Sequence, residues 1–130
     1  MDRATPMILG IGTDLLDVAR MAKELEGKGA GFRNTVFTPS EITYCEAKRY
    51  PARHFAARFA AKEALFKALA GSTSRDFWRE VEVARTEGEP PRLLLHGGMK
   101  EAAARLGVKN ILVSLSHTAS LAAASVVLQG

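Results

Sequence analysis

One segment constrains the fold more than any other. From Ala52 to Ala70 the chain is rich in Ala, Leu, Lys, Glu and Arg, holds no Gly or Pro, and is bracketed by Pro51 and Gly71. Both ends carry boundary signals, and the composition between them predicts one long helix. At about 100° per residue, Phe55, Phe59 and Phe66 fall on a single apolar stripe. Glu63 and Lys67 flank the stripe beside Ala56, Ala60 and Ala70, at a margin of the core. Arg58 and Lys62, four residues apart, form a basic edge on its other side. A carboxylate and several cations are thus held close together without full mutual neutralisation.

Around this helix the chain divides into two halves. A strand is predicted at about Met7 to Thr13, a helix from about Leu15 to Glu26, and a Gly-rich break over Gly27 to Gly31. Thr38-Pro-Ser-Glu41 signals another helix start, with Thr38 as cap, Pro39 at the first position and Glu41 at the third, and that helix is read to about Arg49. After the long helix, Val81 to Arg85 and Arg92 to His96 surround the Glu87-Gly-Glu-Pro-Pro91 turn and read as a hairpin, closed by Gly97-Gly98. A short helix from about Met99 to Leu106 leads to strands at Ile111 to Ser116 and Leu121 to Leu128. Helices dominate the first half and antiparallel strands the second. With no repeat, linker or low-complexity tract, residues 1–130 read as one α+β domain.

The 130 residues suffice for one hydrophobic core, and a 47% hydrophobic content excludes a disordered chain. Cys45 is the only cysteine, which excludes an internal disulfide and reads as a small buried side chain. No secretory signal and no long apolar run is present, so the expected setting is the cytoplasm, without a membrane span. The 18 basic and 14 acidic residues leave a net charge of +4, which suits an acidic partner or nucleic acid. The cations are scattered between acids, with no Lys/Arg run and no aromatic pair on a strand to stack bases, which argues against nucleic acid.

Two acids carry the candidate chemistry. Glu63 lies on the long helix and Asp14 follows the first strand. Each has an ordinary structural alternative: Glu63 and Lys67 make an i,i+4 ion pair worth about 0.2–0.5 kcal/mol on a solvated helix, and Asp14 is well placed to cap a following helix. In combination they fit magnesium, which takes one or two protein carboxylates and completes its octahedron with water and substrate phosphate oxygens. Gly10-Ile-Gly12 does not extend to a dinucleotide fingerprint, because position 15 is Leu and no clear βαβ unit follows. The glycines instead let backbone approach closely at the strand that presents Asp14.

These residues resemble the holo-acyl-carrier-protein synthases, small 4′-phosphopantetheinyl transferases. The likeness runs along nearly the whole chain: Ile8-Leu-Gly-Ile-Gly-Thr-Asp14, Arg58-Phe-Ala-Ala-Lys-Glu-Ala64 followed by Lys67, Trp78-Arg-Glu-Val-Glu-Val83, Gly88-Glu-Pro90 and Val113-Ser-Leu-Ser-His-Thr118. The middle motif is the specific one.

The resemblance implies transfer of 4′-phosphopantetheine from coenzyme A to a serine of an apo-acyl carrier protein, with release of 3′,5′-ADP, as in fatty acid biosynthesis. Asp14 and Glu63 are the implied magnesium ligands. Lys67 is the first choice for the cation that offsets charge on the departing oxygen, and Lys62 the second. The general base is left open between Glu63 and a metal-held water. Arg58 and His117 match positions that hold the 3′-phosphate of coenzyme A, with Thr118 beside them; Arg49 or Arg53 is a further option, and Pro90 matches a position near adenine. His117 has the alternative of capping the turn between the last two strands.

Arg20 and Lys23 on the first helix, with Arg33 after the Gly-rich break, form a candidate face for an acidic carrier protein, and Met21 either packs against that partner or belongs to the core. The resemblance also implies a homotrimer with active sites at subunit boundaries and the strand over Leu121 to Leu128 near the threefold axis. The competing readings are a non-catalytic coenzyme A-binding protein and a polyanion-binding module. Which carrier is served, fatty-acid or polyketide, is left open.

Overall fold

A computed structural model describes residues 5–27, 29–70 and 77–130. Over these residues the chain runs β1 (Ile8–Asp17), α1 (Val18–Gly27), α2 (Gly29–Val36), α3 (Pro39–Glu46), α4 (Pro51–Ala68), a 3-10 turn (Trp78–Glu80), β2 (Val81–Ala84), β3 (Arg92–Leu95), α5 (Gly97–Arg105), β4 (Asn110–His117) and β5 (Leu121–Gln129). β1, β5 and β4 form an antiparallel sheet in that spatial order, and β2 pairs with β3 in a separate hairpin. The α+β architecture, with helices first and strands second, is the one the sequence predicts.

The long helix lies at the centre. α4 packs across β1 and β5 on one side and against α1 and α3 on others. Its alanines at 56, 57, 60, 61, 64 and 68 are all buried, so neighbours close in around most of its circumference. The C-terminal half joins a core with Val81, Met99, Val126 and Leu128, and the N-terminal half joins one with Met21, Phe37, Cys45 and Phe55. Phe55 and Phe66 are buried as expected, and Phe59 stacks on Trp78 with centroids 5.0 Å apart. Enclosure by small residues on several faces also buries Arg58 and Lys62, so the basic edge of the helix lies inside the fold.

Contact between α4 and β1 depends on two glycines. A Cβ at Gly12 would lie 1.9 Å from the Ala64 carbonyl oxygen, and one at Gly10 would lie 2.1 Å from that of Ala68. Gly10, Gly12 and Asp14 alternate onto one face of β1. Close approach at the glycines therefore brings Asp14 against the same helix.

Several boundaries differ from the sequence reading. β1 continues through Asp17, because its register with β5 extends from Gly10↔Leu128 through Asp14↔Ala124 to Asp17↔Leu121. Ladder pairing overrides the local capping preference, so Asp14 is a strand residue, not a helix cap, and α1 starts at Val18. Part of the Gly-rich stretch forms α2, packed on α1 and the 3-10 turn, since glycine propensity is a weak prior against tertiary contact. α3 has the full capping box of Thr38 and Glu41 but ends at Glu46. Beyond α4, Ala70 adopts φ 52°, a left-handed conformation that ends the helix. Gly71 lies outside the described residues.

One face of the main sheet is covered by α4, and the other carries exposed apolar side chains. Ile11 and Leu15 of β1 are 69% and 64% exposed, and Leu112 of β4 and Leu121 of β5 lie uncovered as well. On the same face the exposed hydroxyls of Thr13 and Ser125 bond to each other at 2.9 Å between these apolar side chains.

Candidate active site

Asp14 and Glu63 line one cleft of about 550 Å³, bordered by Arg20, Phe59 and Trp78. β1 supplies Asp14 and α4 supplies Glu63, so two elements far apart in sequence converge there. Lys67, one turn beyond Glu63, donates to Asp14 Oδ1 at 3.0 Å and to the Thr13 carbonyl at 2.9 Å. Its side chain is 46% exposed, so this bond is open to exchange.

The donor set suits a hard divalent cation. Two carboxylates face one cleft, and a cationic ammonium already sits on one of them. Among the described residues no cluster of three or more His, Cys, Asp or Glu is placed to enclose a metal alone. Such a pair fits magnesium, which leaves several coordination positions to water and substrate phosphate.

Lys62 does not join this site. Its ammonium is fully buried and donates to Glu41 Oε1 at 2.7 Å, the Val36 carbonyl at 2.8 Å and the Trp78 carbonyl at 3.0 Å. All three donors of a lysine are thereby used. The expectation of Lys62 as a cation over substrate phosphate is corrected accordingly. Burial pulls its pKa below the ordinary lysine range, with Glu41 opposing that shift.

A second cleft, of about 360 Å³, is lined by Tyr44, His54, Arg58, Arg85, Ser116 and His117. Arg58 is 3% exposed, with its guanidinium over the Tyr44 ring at 4.1 Å and Nη1 donating to the His54 carbonyl at 3.4 Å. Its Nε has no hydrogen-bond partner among the described residues. The His54 and His117 rings meet edge to face at 4.8 Å. Burial lowers the His54 pKa to about 4, helped by His117, Arg58, Lys48 and Arg85. His117 is lowered in the same direction by burial and by Arg53, Arg58 and Arg85. Arg58 and Arg85 therefore share this cleft with two imidazoles whose protonation is disfavoured by burial and by the neighbouring cations.

A pH dependence follows. The folded His54 pKa lies below its ordinary value of 6.5, so the unfolded chain takes up its proton first. The associated stability is present above pH 6.5 and is lost as pH falls toward 4. Thermal unfolding of wild type and His54→Gln between pH 7.5 and 4.5 should show the smaller acid loss in the variant.

The remaining candidates fall as follows. Thr118 Oγ1 accepts from the Ser120 and Leu121 backbone N–H groups at 3.2 and 3.1 Å, so Thr118, not His117, holds the β4–β5 turn. Pro90 sits exposed in the β2–β3 turn and lines neither cleft. Arg20 and Lys23 are exposed on α1 and share a shallow surface with Asp17 and Ser120. Arg33 instead pairs with Glu46 at 3.2 Å, and Met21, 2% exposed, belongs to the core. Burial pushes the Cys45 thiol up to about 12, which keeps it protonated and unreactive. Sequence reasoning missed His54 and Arg85, which no motif distinguishes from surface charges.

A small α+β domain with a carboxylate pair in one cleft and a guanidinium–imidazole group in another invites comparison with known transferases. The chain belongs to the 4′-phosphopantetheinyl transferase superfamily, whose family model matches residues 10–125. It is 44% identical over 124 residues to the holo-[acyl-carrier-protein] synthase of Solibacter usitatus, covering 95% of this chain and 99% of that protein. The crystal structure of the Neisseria meningitidis holo-[acyl-carrier-protein] synthase matches with a TM-score of 0.85 at 27% identity, over 95% of this chain and 100% of that one. The Helicobacter pylori synthase, crystallised in complex with coenzyme A, matches with a TM-score of 0.77 at 29% identity, over 91% and 98% of the two chains. Within the superfamily the chain falls among the holo-[acyl-carrier-protein] synthases, and it is a phosphopantetheinyl transferase.

Proposed function

We propose that this chain transfers 4′-phosphopantetheine from coenzyme A to a serine hydroxyl of an apo-acyl carrier protein in the cytoplasm, releasing 3′,5′-ADP. All 130 residues serve as one catalytic domain. The observation that carries the reading is the convergence of Asp14, Glu63 and Lys67 from β1 and α4.

In the transfer, the serine oxygen bonds to the β-phosphorus as the bond from that phosphorus to the bridging oxygen breaks, the serine proton passing to Glu63 or to water and the bridging oxygen leaving on 3′,5′-ADP. Asp14 and Glu63 would hold magnesium, which supplies Lewis-acid polarisation of the pyrophosphate. Lys67, whose half-exposed ammonium can turn from Asp14 toward substrate, offsets the charge gathering on the leaving oxygen. Arg58 and His117, with Thr118 near, receive the 3′-phosphate in the second cleft. Arg20 and Lys23 lie beside the first cleft on α1, where they steer the acidic carrier protein.

The two clefts have no lining residue in common. Arg58 and Glu63 are five positions apart on α4, which places them about 140° apart around the helix. This separation supports a homotrimer in which the phosphate cleft of one subunit serves the carboxylate cleft of its neighbour. The apolar sheet face of Ile11, Leu15, Leu112 and Leu121 offers the surface for that assembly.

The test is direct: incubate the protein with apo-carrier protein, coenzyme A and magnesium, and weigh the carrier by mass spectrometry. A phosphopantetheine mass gain that disappears on chelation supports the reading. Coenzyme A binding without mass gain makes the chain a binding protein instead. Lys67→Ala should lower kcat by roughly 10²-fold while changing coenzyme A affinity far less, the pattern of a group acting in the transition state. Equal losses in both would make Lys67 a binding residue.

A further inference from the structure

The Glu41–Lys62 pair is the one fully buried ion pair among the described residues, and it lies beside the carboxylate cleft. Such a pair is an expensive way to hold a core, because desolvation offsets its attraction and apolar replacements of similar volume are often no less stable. Its geometry indicates what it holds. Glu41 is fixed by the Thr38 N–H at 2.8 Å and the Val83 N–H at 2.7 Å, so the carboxylate has little freedom. The Lys62 ammonium, anchored there, binds the carbonyls of Val36 and Trp78. Both of those residues line the Asp14/Glu63 cleft. The Trp78 ring in turn stacks on Phe59, another lining residue, and meets Phe66 edge-on at 5.1 Å. Three separate walls of the cleft, the end of α2, the 3-10 turn and α4, therefore meet on one ammonium group, one residue away from Glu63.

We infer that Lys62 is a positioning residue: held by Glu41, it clamps the Val36 and Trp78 walls to the turn of α4 that carries Glu63, and so sets Glu63 against the phosphoryl donor. The inference rests on the transfer reaction proposed above. It assigns Lys62 no contact with substrate. An acid displaced by about an ångström can lose on the order of 10²-fold in rate without any change in the reacting groups.

Two variants separate positioning from simple support. Lys62→Met removes the clamp and leaves Glu41 charged, whereas Glu41→Gln/Lys62→Met removes both charges and leaves no uncompensated ion. The double variant should stay folded at the assay temperature with a lowered Tm, since it leaves no buried charge but gives up bonds to the Val36, Trp78 and Val83 backbone groups. Its kcat should fall about tenfold or more, with the KM for coenzyme A moving much less. Trp78 is the only tryptophan in the chain, so its emission reports the wall directly. Its spectrum should shift to the red, with greater quenching by acrylamide, in both variants. Folded variants with kcat near that of wild type and unchanged Trp78 emission overturn the inference. A double variant that does not fold makes the pair a structural element and also overturns it. Should wild type transfer nothing, the proposed reaction fails, and Trp78 emission in the ligand-free protein still decides whether the clamp exists.

Discussion

Glu63→Gln and Asp14→Asn are each expected to lower carrier modification by on the order of 10³-fold, the scale lost when a preorganised charge is removed from a phosphoryl or acyl transfer site. Each exchange preserves shape and removes one negative charge from the shared cleft. A magnesium ion held as proposed would then keep only one anionic ligand, and its hold on the pyrophosphate would weaken. Asp14→Asn also loosens the 3.0 Å partner of Lys67, but that ammonium is half exposed, so the fold should be little affected. Carrier mass gain measured across a magnesium titration, beside Tm, checks both points. Wild-type turnover by Glu63→Gln would remove Glu63 from the metal site, and a large fall in Tm would recast either acid as structural.

Gly12→Ala should be strongly destabilising, with the shortest Cβ contact of the glycines in the described residues. The new Cβ would sit 1.9 Å from the Ala64 carbonyl oxygen and 2.9 Å from the Ala68 amide nitrogen. Both are backbone atoms of the central helix, so no rotamer change relieves the overlap. Only separation of β1 from α4 does. A cost of about 3 kcal/mol or more is expected, at the upper end for overpacking, with Tm lower by roughly 10 °C. Gly10→Ala, 2.1 Å from the Ala68 carbonyl oxygen, should behave alike. Because the same approach brings Asp14 against α4, protein that remains folded should also transfer poorly. Unchanged thermal stability in Gly12→Ala would show that the strand and helix can part freely.

The fold class was legible because its signals are local. Pro51 and the unbroken helix-forming run predict α4, the Thr38–Glu41 pattern predicts the start of α3, and apolar or alternating runs predict the β2–β3 hairpin and the last two strands. The errors arose where pairing partners decided. Asp14 looked like a cap until β5 extended the ladder past it, and the glycines at 29 and 31 looked like a break until α1 gave their segment a surface to pack on. For the site, residue type at motif spacing brought Asp14, Glu63 and Lys67 forward together. The same spacing mistook Lys62 for a substrate contact, because it cannot report burial. His54 went unnoticed because its significance lies in His117, more than sixty residues away and 4.8 Å distant in space.

By itself, then, the sequence determined an α+β chain built around one long helix, and a family resemblance that singled out Asp14, Glu63 and Lys67. Only the tertiary structure decided which charges face solvent and which are sealed inside. Lys62 and Lys67 are the same side chain on the same helix, five positions apart. One is enclosed by Glu41 and two carbonyls, the other lies half open beside Asp14. The physical reason is that the helical period fixes direction around α4, whereas the neighbour met in each direction is set by elements distant in sequence.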